Sequence, residues 1–174
     1  MKLILKLLIF IFSAVLLISC STTIEVVSNK DAAFTRKINK VFITCKLDEQ
    51  FSKLSESLPQ FLVSELHNNG ITAEYFKITP ITLESEYKSA LEKLGPDIVL
   101  TINKNEGYSN SGPLIFMEDT KLTLFVSALE PDDDNVIWRA KIIFQTNEPG
   151  PLNKQDGFKI AVEIVSKMKK DNLL

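Results

Sequence analysis

The strongest constraint on the fold is a pair of runs in which apolar and polar residues alternate, at residues 121–129 and 135–145. Alternation with a period of two places one set of side chains on each face of a β-strand. The segment between the runs, residues 130–134, is rich in Asp and contains a Pro, as turns are. The runs therefore predict an antiparallel hairpin with one apolar face, which would carry Leu122, Leu124, Val126, Ala128, Trp138, Ala140, Ile142 and Phe144.

Strand and helix patterns alternate in the chain before this hairpin. Short runs of apolar and β-branched residues predict strands, and apolar residues at spacings of three and four predict helices. The strands are expected at residues 41–45, 73–78 and 97–103, and the helices at residues 51–66, 83–94 and 156–170. The order βαβαβββα predicts an α/β (α+β) fold in a single domain, with a mixed sheet of about five strands and helices packed on it.

Several residues predict where these elements begin and end. Pro59 lies inside the first helical pattern, so either one kinked helix or two shorter helices are expected there. Asn69-Gly70 and Gly95-Pro96 predict helix ends, because glycine adopts the left-handed conformation that follows many helices. Thr82 is the expected amino-terminal cap of the second helix. Residues 105–113, rich in Gly, Ser and Asn, are expected to form a loop.

The first twenty residues have the composition of a targeting segment. Lys2 and Lys6 precede an apolar run at residues 7–18, which is interrupted only by Ser13. The run is shorter than the about 20 residues that span a bilayer. It also lacks the polar face of a helix packed at a protein surface. It therefore predicts a secretory signal peptide.

The targeting segment ends in Leu17-Ile18-Ser19-Cys20, which resembles the lipobox of bacterial lipoproteins. The resemblance implies cleavage before Cys20, with acyl chains on its thiol and on the new amino terminus. An ordinary cleavage site is the alternative, but Ser13 and Ala14 lie inside the apolar run instead of after it. Ser21 replaces the Asp that commonly signals inner-membrane retention, which implies the periplasmic face of the outer membrane. The expected regions are a signal peptide at 1–19, a lipidated tether and lead-in at 20–36, and one domain at 37–174.

Few residues of the mature chain can carry chemistry. Cys45 is the one thiol left after lipidation of Cys20, and it is interpreted as a small buried residue of a strand. His67, the one histidine of the chain, is expected to be solvated or cap-like at a helix end. Asp132–Asp134 could offer oxygen ligands to calcium, but a solvated turn fits their adjacent spacing better. No metal site, cofactor motif or basic cluster for nucleic acid is predicted.

Two aromatic residues are the candidate partner-binding residues. Tyr108 lies in the expected loop at 105–113, and Phe116 lies in the apolar run at 115–117. One interpretation is an apolar lip that binds a partner or ligand. The other is that the apolar run is an ordinary strand or core segment, since apolar runs are usually buried.

A succession of short features runs through the mature chain. They are the Asp31…Phe34 lead-in, the strand at Val41, Asn69-Gly70, Gly95-Pro96-Asp97, the Asn135–Arg139 strand and a carboxy-terminal helix. Together they resemble the amino-terminal domain of TolB-type proteins, the lipoprotein activators of penicillin-binding proteins, and a set of uncharacterised periplasmic lipoprotein domains. The resemblance implies a small periplasmic α/β domain. These families supply no catalytic residues.

The function expected from these features is that of an outer-membrane lipoprotein that is not an enzyme. It would be attached to the membrane through Cys20 and would act as a binding or accessory module for an envelope complex. The alternative is a carrier of a small ligand or lipid, which needs an apolar cleft. A third hypothesis, an envelope hydrolase, would need His67 or a carboxylate pair within a cleft.

Overall fold

Six β-strands form one mixed sheet in the computed structural model, which describes residues 22–109, 120–133, 135–147 and 152–174. The strands are β1 (Thr22–Lys30), β2 (Lys40–Lys46), β3 (Thr72–Phe76), β4 (Ile98–Ser109), β5 (Thr120–Leu129) and β6 (Val136–Thr146). The helices are α1 (Ser52–Asn68, after a 3-10 turn at Glu49–Phe51), α2 (Glu84–Leu94) and α3 (Lys154–Lys170). Across the sheet the order is β1-β6-β5-β4-β2-β3. The predicted single α+β domain with a mixed sheet is confirmed.

The sheet joins a parallel half to an antiparallel half. β2 pairs in parallel with β3 and with β4, and α1 and α2 form the crossover connections that parallel strands need. β4, β5, β6 and β1 pair antiparallel in succession. The β5–β6 pair is the predicted hairpin. Its buried face is the predicted one, formed by Leu122, Leu124, Val126, Ala128, Trp138, Ala140, Ile142 and Phe144.

The strand β1 corrects the predicted strand count and the predicted tether. Residues 20–36 are a tether and lead-in in the prediction, but residues 22–30 form an edge strand that pairs with β6. Ile24 and Val26 turn toward the helices and pack on the core. The apolar residues of β1 are only Ile24, Val26 and Val27, a short run among polar residues that does not mark a strand by itself. The sheet therefore has an additional strand at its edge.

The strand β4 is longer than the prediction. It continues to Ser109, into the segment that was expected to be a loop at 105–113. β5 pairs with it as far as Ser109↔Thr120, with a register shift between Lys104 and Glu106. The backbone hydrogen bonds to β5 thus outweigh the turn propensity of the Gly, Ser and Asn residues, and the irregularity is taken up by a bulge.

The helix boundaries confirm most of the predicted signals. α1 continues through Pro59, so the alternative with two helices is wrong. Gly70 and Gly95 have φ angles of 76° and 56°, the left-handed conformation expected after a helix. Thr82 does not cap α2; its hydroxyl accepts a hydrogen bond from the Thr79 backbone N–H at 2.8 Å instead.

The helices cover the two faces of the sheet unequally. α1 and α3 pack side by side on one face, and α2 packs on the other face over β2 and β3. α1 and α3 meet closely at Gly157, where a Cβ would lie 2.6 Å from Ser57 Oγ and 3.2 Å from the Leu58 backbone nitrogen. Only glycine permits this approach without displacement. An aromatic cluster with centroids 5.7 to 5.9 Å apart lies under α2, formed by Phe42, Phe76 and Tyr87.

Hydrogen bonds from three elements converge on Asp171, directly after α3. Its carboxylate accepts from Ser28 Oγ at 2.5 Å, Trp138 Nε1 at 2.8 Å and Lys167 Nζ at 3.1 Å. Burial opposes ionisation of this carboxyl, but the three donors outweigh it and hold the pKa of Asp171 below its ordinary value. These bonds attach β1 and β6 to the end of the last helix.

Candidate functional site

The sheet has two ends along its strands, and β1 begins at one of them with Thr22, the first residue that the structure describes. Thr22 of β1 pairs with Thr146 of β6. Thr146 in turn pairs with Thr120 of β5, which pairs with Ser109 of β4. Cys20, the predicted lipidation site, lies outside the described residues and two positions before Thr22. We call this the anchor end of the sheet and the opposite one the distal end.

Of the two candidate partner-binding residues, the structure describes the backbone of only one. Tyr108 lies in β4, where its backbone pairs with Lys121, so its predicted loop position is wrong. Phe116 lies outside the described residues. An apolar lip formed by the two residues therefore stays a prediction.

Open clefts of about 320, 270 and 580 Å³ lie at the distal end. Their walls come from the segment after β1 and from the β5–β6 turn, and in the first cleft also from the end of α2 and the turn to β4. Arg36 and Glu130 line the first two clefts, and Asp31 and Asn135 line the last two. Charged and amide side chains of this kind fit a polar partner surface. They do not form the apolar cleft that a lipid carrier would need.

Hydrogen bonds and ion pairs hold the side chains of these clefts in place. The Glu130 carboxylate pairs with the Arg36 guanidinium and accepts a hydrogen bond from Asn135 Nδ2 at 3.0 Å. The Asp97 carboxylate accepts the backbone N–H of Lys40 at 2.9 Å. Both carboxylates thus fix the chain around the distal end. The two carboxylates therefore belong to a charged surface whose side chains are held in place. Because both already accept hydrogen bonds from neighbouring donors, this arrangement does not favour them as general acids or bases.

The described thiol and imidazole are placed away from these clefts. Cys45 is 6% exposed, which confirms the buried interpretation, and burial raises the pKa of its thiol to about 12. A thiol held protonated in this way is a poor nucleophile. His67 is exposed at the end of α1, and its Nε2 accepts the backbone N–H of Ala73 at 3.1 Å. The exposure matches the expectation, but the imidazole bonds to β3 instead of capping α1. His67 lies at the start of β3, at the distal end, and lines none of the clefts above.

The acidic turn between β5 and β6 has the geometry of a solvated turn. Asp132 and Asp133 are exposed, and Asp133 accepts the backbone N–H of Asn135 at 3.0 Å, a bond typical of turns. Asp134 lies outside the described residues. Within the described ranges, no group of three or more His, Cys, Asp or Glu side chains is arranged to hold a metal ion.

The sequence did not single out Arg36, Glu130 or Asn135 as a cluster. Arg36 follows β1, and the other two flank the β5–β6 turn, so 94 positions separate Arg36 from Glu130. One feature of the sequence could have suggested the cluster: the polar segment that carries Arg36 and the turn that carries Glu130 each follow a strand. That signal needs the strand order, which places the two segments at one end of the sheet.

No family model and no curated protein sequence matches the chain. Among solved structures, PelC from Paraburkholderia phytofirmans, a dodecamer, aligns with a TM-score of 0.54 at 14% identity over 83% of this chain and 96% of that one. A DUF330 protein from Xanthomonas campestris aligns with a TM-score of 0.50 at 10% identity over 83% and 94%. A lipoprotein from Neisseria meningitidis aligns with a TM-score of 0.45 at 11% identity over 75% and 98%.

At these identities the likeness extends to the fold alone. The PelC and DUF330 alignments cover most of both chains, so the mixed sheet with its helices is an arrangement that other bacterial proteins share. The expected likeness to other small bacterial domains is supported to that extent. The likeness to TolB-type domains and to activators of penicillin-binding proteins stays a prediction. In the part of the chain that the structure describes, no helix is long and apolar enough to cross a membrane.

Proposed function

We propose that the protein is a lipid-anchored module of the bacterial envelope that binds a protein partner and performs no catalysis. The observation that carries the proposal is the lipobox-like ending at Cys20, placed directly before the first strand of the sheet. The signal peptide exports the chain, and acylation of Cys20 attaches it. Ser21 after the cysteine supports the periplasmic face of the outer membrane as its location.

The junction between anchor and domain is short. Ser21 alone separates Cys20 from β1, and one extended residue spans at most about 3.6 Å. Acyl burial contributes about 0.8 kcal/mol per CH₂, and two or more chains give lasting attachment. In this arrangement the anchor end of the sheet faces the bilayer and the distal end points away from it.

The distal end is the surface that we assign to the partner. Arg36 has 65% of its side chain exposed while it pairs with Glu130, so a charged group is both fixed and accessible. Fixed charges of this kind give specificity and fast association with a complementary protein surface. The non-catalytic part of the proposal is supported by the buried thiol of Cys45 and by the bond between His67 and the backbone.

Lipidation is tested by feeding cells an alkyne-tagged fatty acid and purifying the full chain. We expect label on the parent protein and on Cys45→Ala, the matched control, and none on Cys20→Ala. Membrane fractionation of the same cells should show Cys20→Ala lost from the outer membrane. Label that persists on Cys20→Ala, or an unchanged outer-membrane fraction, contradicts the anchor.

Partner binding is tested with a photo-crosslinking amino acid placed in living cells. We expect a discrete adduct from position Asp132 at the distal end, and none from Ser166, an exposed control on α3. Mass spectrometry of the adduct identifies the partner. Adducts from Ser166 without any from Asp132 would move the binding surface to the helices and contradict the assignment.

A further inference from the structure

α2 covers only half of the sheet face on which it lies. The row Val27–Lys141–Phe125 crosses β1, β6 and β5, and it continues to Asn103 of β4. Asn103 lies four residues after Val99, which packs under α2, so the whole row is on the α2 side. Val27 and Phe125 are 57% and 41% exposed. Six of the outward residues of β1, β6 and β5 on this side form what we call the open face: Glu25, Val27, Lys121, Phe125, Arg139 and Lys141. Thr123, on the same side of β5, is 4% exposed and lies outside it.

The open face has an excess of positive side chains, and the outward surface of α2 has a small excess of carboxylates. On the open face Lys121, Arg139 and Lys141 outnumber the one carboxylate, Glu25. Among the described residues, Arg139 and Lys141 make no hydrogen bond or ion pair through their side chains. The outward surface of α2 has more carboxylates than lysines: Glu84, Glu86 and Glu92 against Lys88 and Lys93. Opposed surfaces of opposite sign favour association in one register.

Exposed apolar residues occur on the open face and on the chain that leads into α2. Successive pairing places Phe76, the end of β3, in the row of Arg139. The row of Lys141 lies two residues closer to the anchor end. The chain after Phe76 leaves β3 toward that height and exposes Ile81 and Leu83, at 86% and 62%, just before α2.

We propose that a second copy of the chain occupies the open face, in a dimer whose two-fold axis runs parallel to the strands. α2 and the open face lie on opposite halves of one sheet face, so this rotation places each α2 over the open face of the other copy. Because the axis is parallel to the strands, the rotation does not change the position of a residue along the strand direction. Ile81 and Leu83 of one copy therefore meet Val27 and Phe125 of the other. The contact occurs twice, as in any isologous interface.

The direction of the axis suits two anchored chains. A two-fold axis along the strands keeps both anchor ends on the same side, so both lipid anchors enter one membrane; this point rests on the proposed function. Antiparallel pairing of the two β1 edges would instead point the anchor ends in opposite directions. The open face is therefore a surface through which two anchored copies can pair symmetrically.

The first test is the mass of the full lipidated chain in detergent, measured by sedimentation equilibrium. We expect a dimer whose dissociation constant rises at least about tenfold in Phe125→Asp, because a carboxylate is placed inside the contact. Phe158→Asp is the matched control: Phe158 is 37% exposed, but lies on the helix-covered side, on α3. Thermal melts of both variants check that they fold.

The second test does not introduce a charge. Val27→Cys and Leu83→Cys are expressed separately and together in cells, and a short bis-maleimide is added. We expect a cross-linked dimer only when both variants are present, since each position faces the other across the axis. Cys45 is buried, and the parent chain controls for reaction at Cys20.

A monomeric parent chain overturns the proposal, as does a dimer that Phe125→Asp leaves unchanged. An adduct between Val27→Cys and a different envelope protein, without one to Leu83→Cys, assigns the open face to that protein and also overturns it. A larger assembly supports the proposal only if the Val27–Leu83 cross-link forms. The mass in detergent does not depend on membrane attachment, so this result and the fatty-acid labelling of Cys20 can fail separately.

Discussion

Replacing Gly157 by alanine sets two opposing effects against each other at the contact between α1 and α3. In an exposed helix interior this change stabilises by about 1 kcal/mol, because alanine has the higher helix propensity. At Gly157 the new Cβ would lie 2.6 Å from Ser57 Oγ and 3.2 Å from the Leu58 backbone nitrogen. Both distances are shorter than an ordinary contact, so the neighbours must move.

The two neighbours differ in how they can move. The Ser57 hydroxyl can rotate away, but it then gives up the hydrogen bond that it donates to the Lys53 carbonyl at 2.8 Å, which is worth about 1 kcal/mol. The Leu58 nitrogen belongs to the backbone, so the helices must separate, and such overpacking costs about 1–3 kcal/mol. These costs exceed the propensity gain. We expect Gly157→Ala to lower the free energy of unfolding by about 1–3 kcal/mol.

Chemical denaturation of four variants measures this effect: Gly157→Ala, Ser57→Ala, the double variant, and Ser166→Ala as an exposed helix-propensity control on α3. In the Ser57→Ala background the cost of Gly157→Ala should fall by about 1 kcal/mol, since no hydroxyl is displaced. The reasoning is refuted if Gly157→Ala stabilises the protein by about the 1 kcal/mol that helix propensity alone would supply.

Two further predictions follow from the titratable groups. The pKa of Asp171 is lowered in the folded state, so its stabilisation is present above its ordinary value of 3.8 and is lost as the pH falls through the folded pKa. Asp171→Asn should therefore lower the free energy of unfolding by about 1–3 kcal/mol at neutral pH and reduce its acid dependence in urea titrations; an unchanged acid slope would contradict this. The pKa of Cys45 is raised from 9.0 to about 12, so a thiol reagent should label it only after unfolding, and stability should fall as the pH rises above 9.0. Rapid labelling of the native chain would show that the thiol is accessible.

The elements that the sequence predicted well are those whose pattern reflects local burial. The β5–β6 hairpin alternates along most of its length because one face is covered, and α3 shows a broad apolar stripe because it packs on the sheet. The strand β1 was missed because its pairing depends on residues far away: Thr22 lies opposite Thr146, 124 positions later. The composition of residues 22–30 alone does not indicate with which distant strand they pair.

The surfaces proposed for binding depend on strand order, which periodicity does not determine. The residues Val27 and Phe125 alternate with core residues and could each have faced a helix. They are exposed because β6 lies between β1 and β5, while α2 connects β3 to β4 at the other side of the sheet. The distal clefts have the same origin, since Arg36 and Glu130 meet only when β1 and β5 end together.

The short junction and the direction of β1 together restrict what each surface can bind. If Cys20 is acylated, the anchor end lies at the bilayer, and the distal end is the part of the domain that extends farthest toward a partner across the periplasm. A second copy anchored in the same membrane approaches from the side, and the open face is one lateral surface, with Val27 and Phe125 exposed on it. The clefts around Arg36 and Glu130 lie at the end of the sheet, apart from that row. The two surfaces adjoin, since Glu92 of α2 also lines one distal cleft and Arg139 of the open face lines another, so pairing of two copies and binding of a partner are not independent.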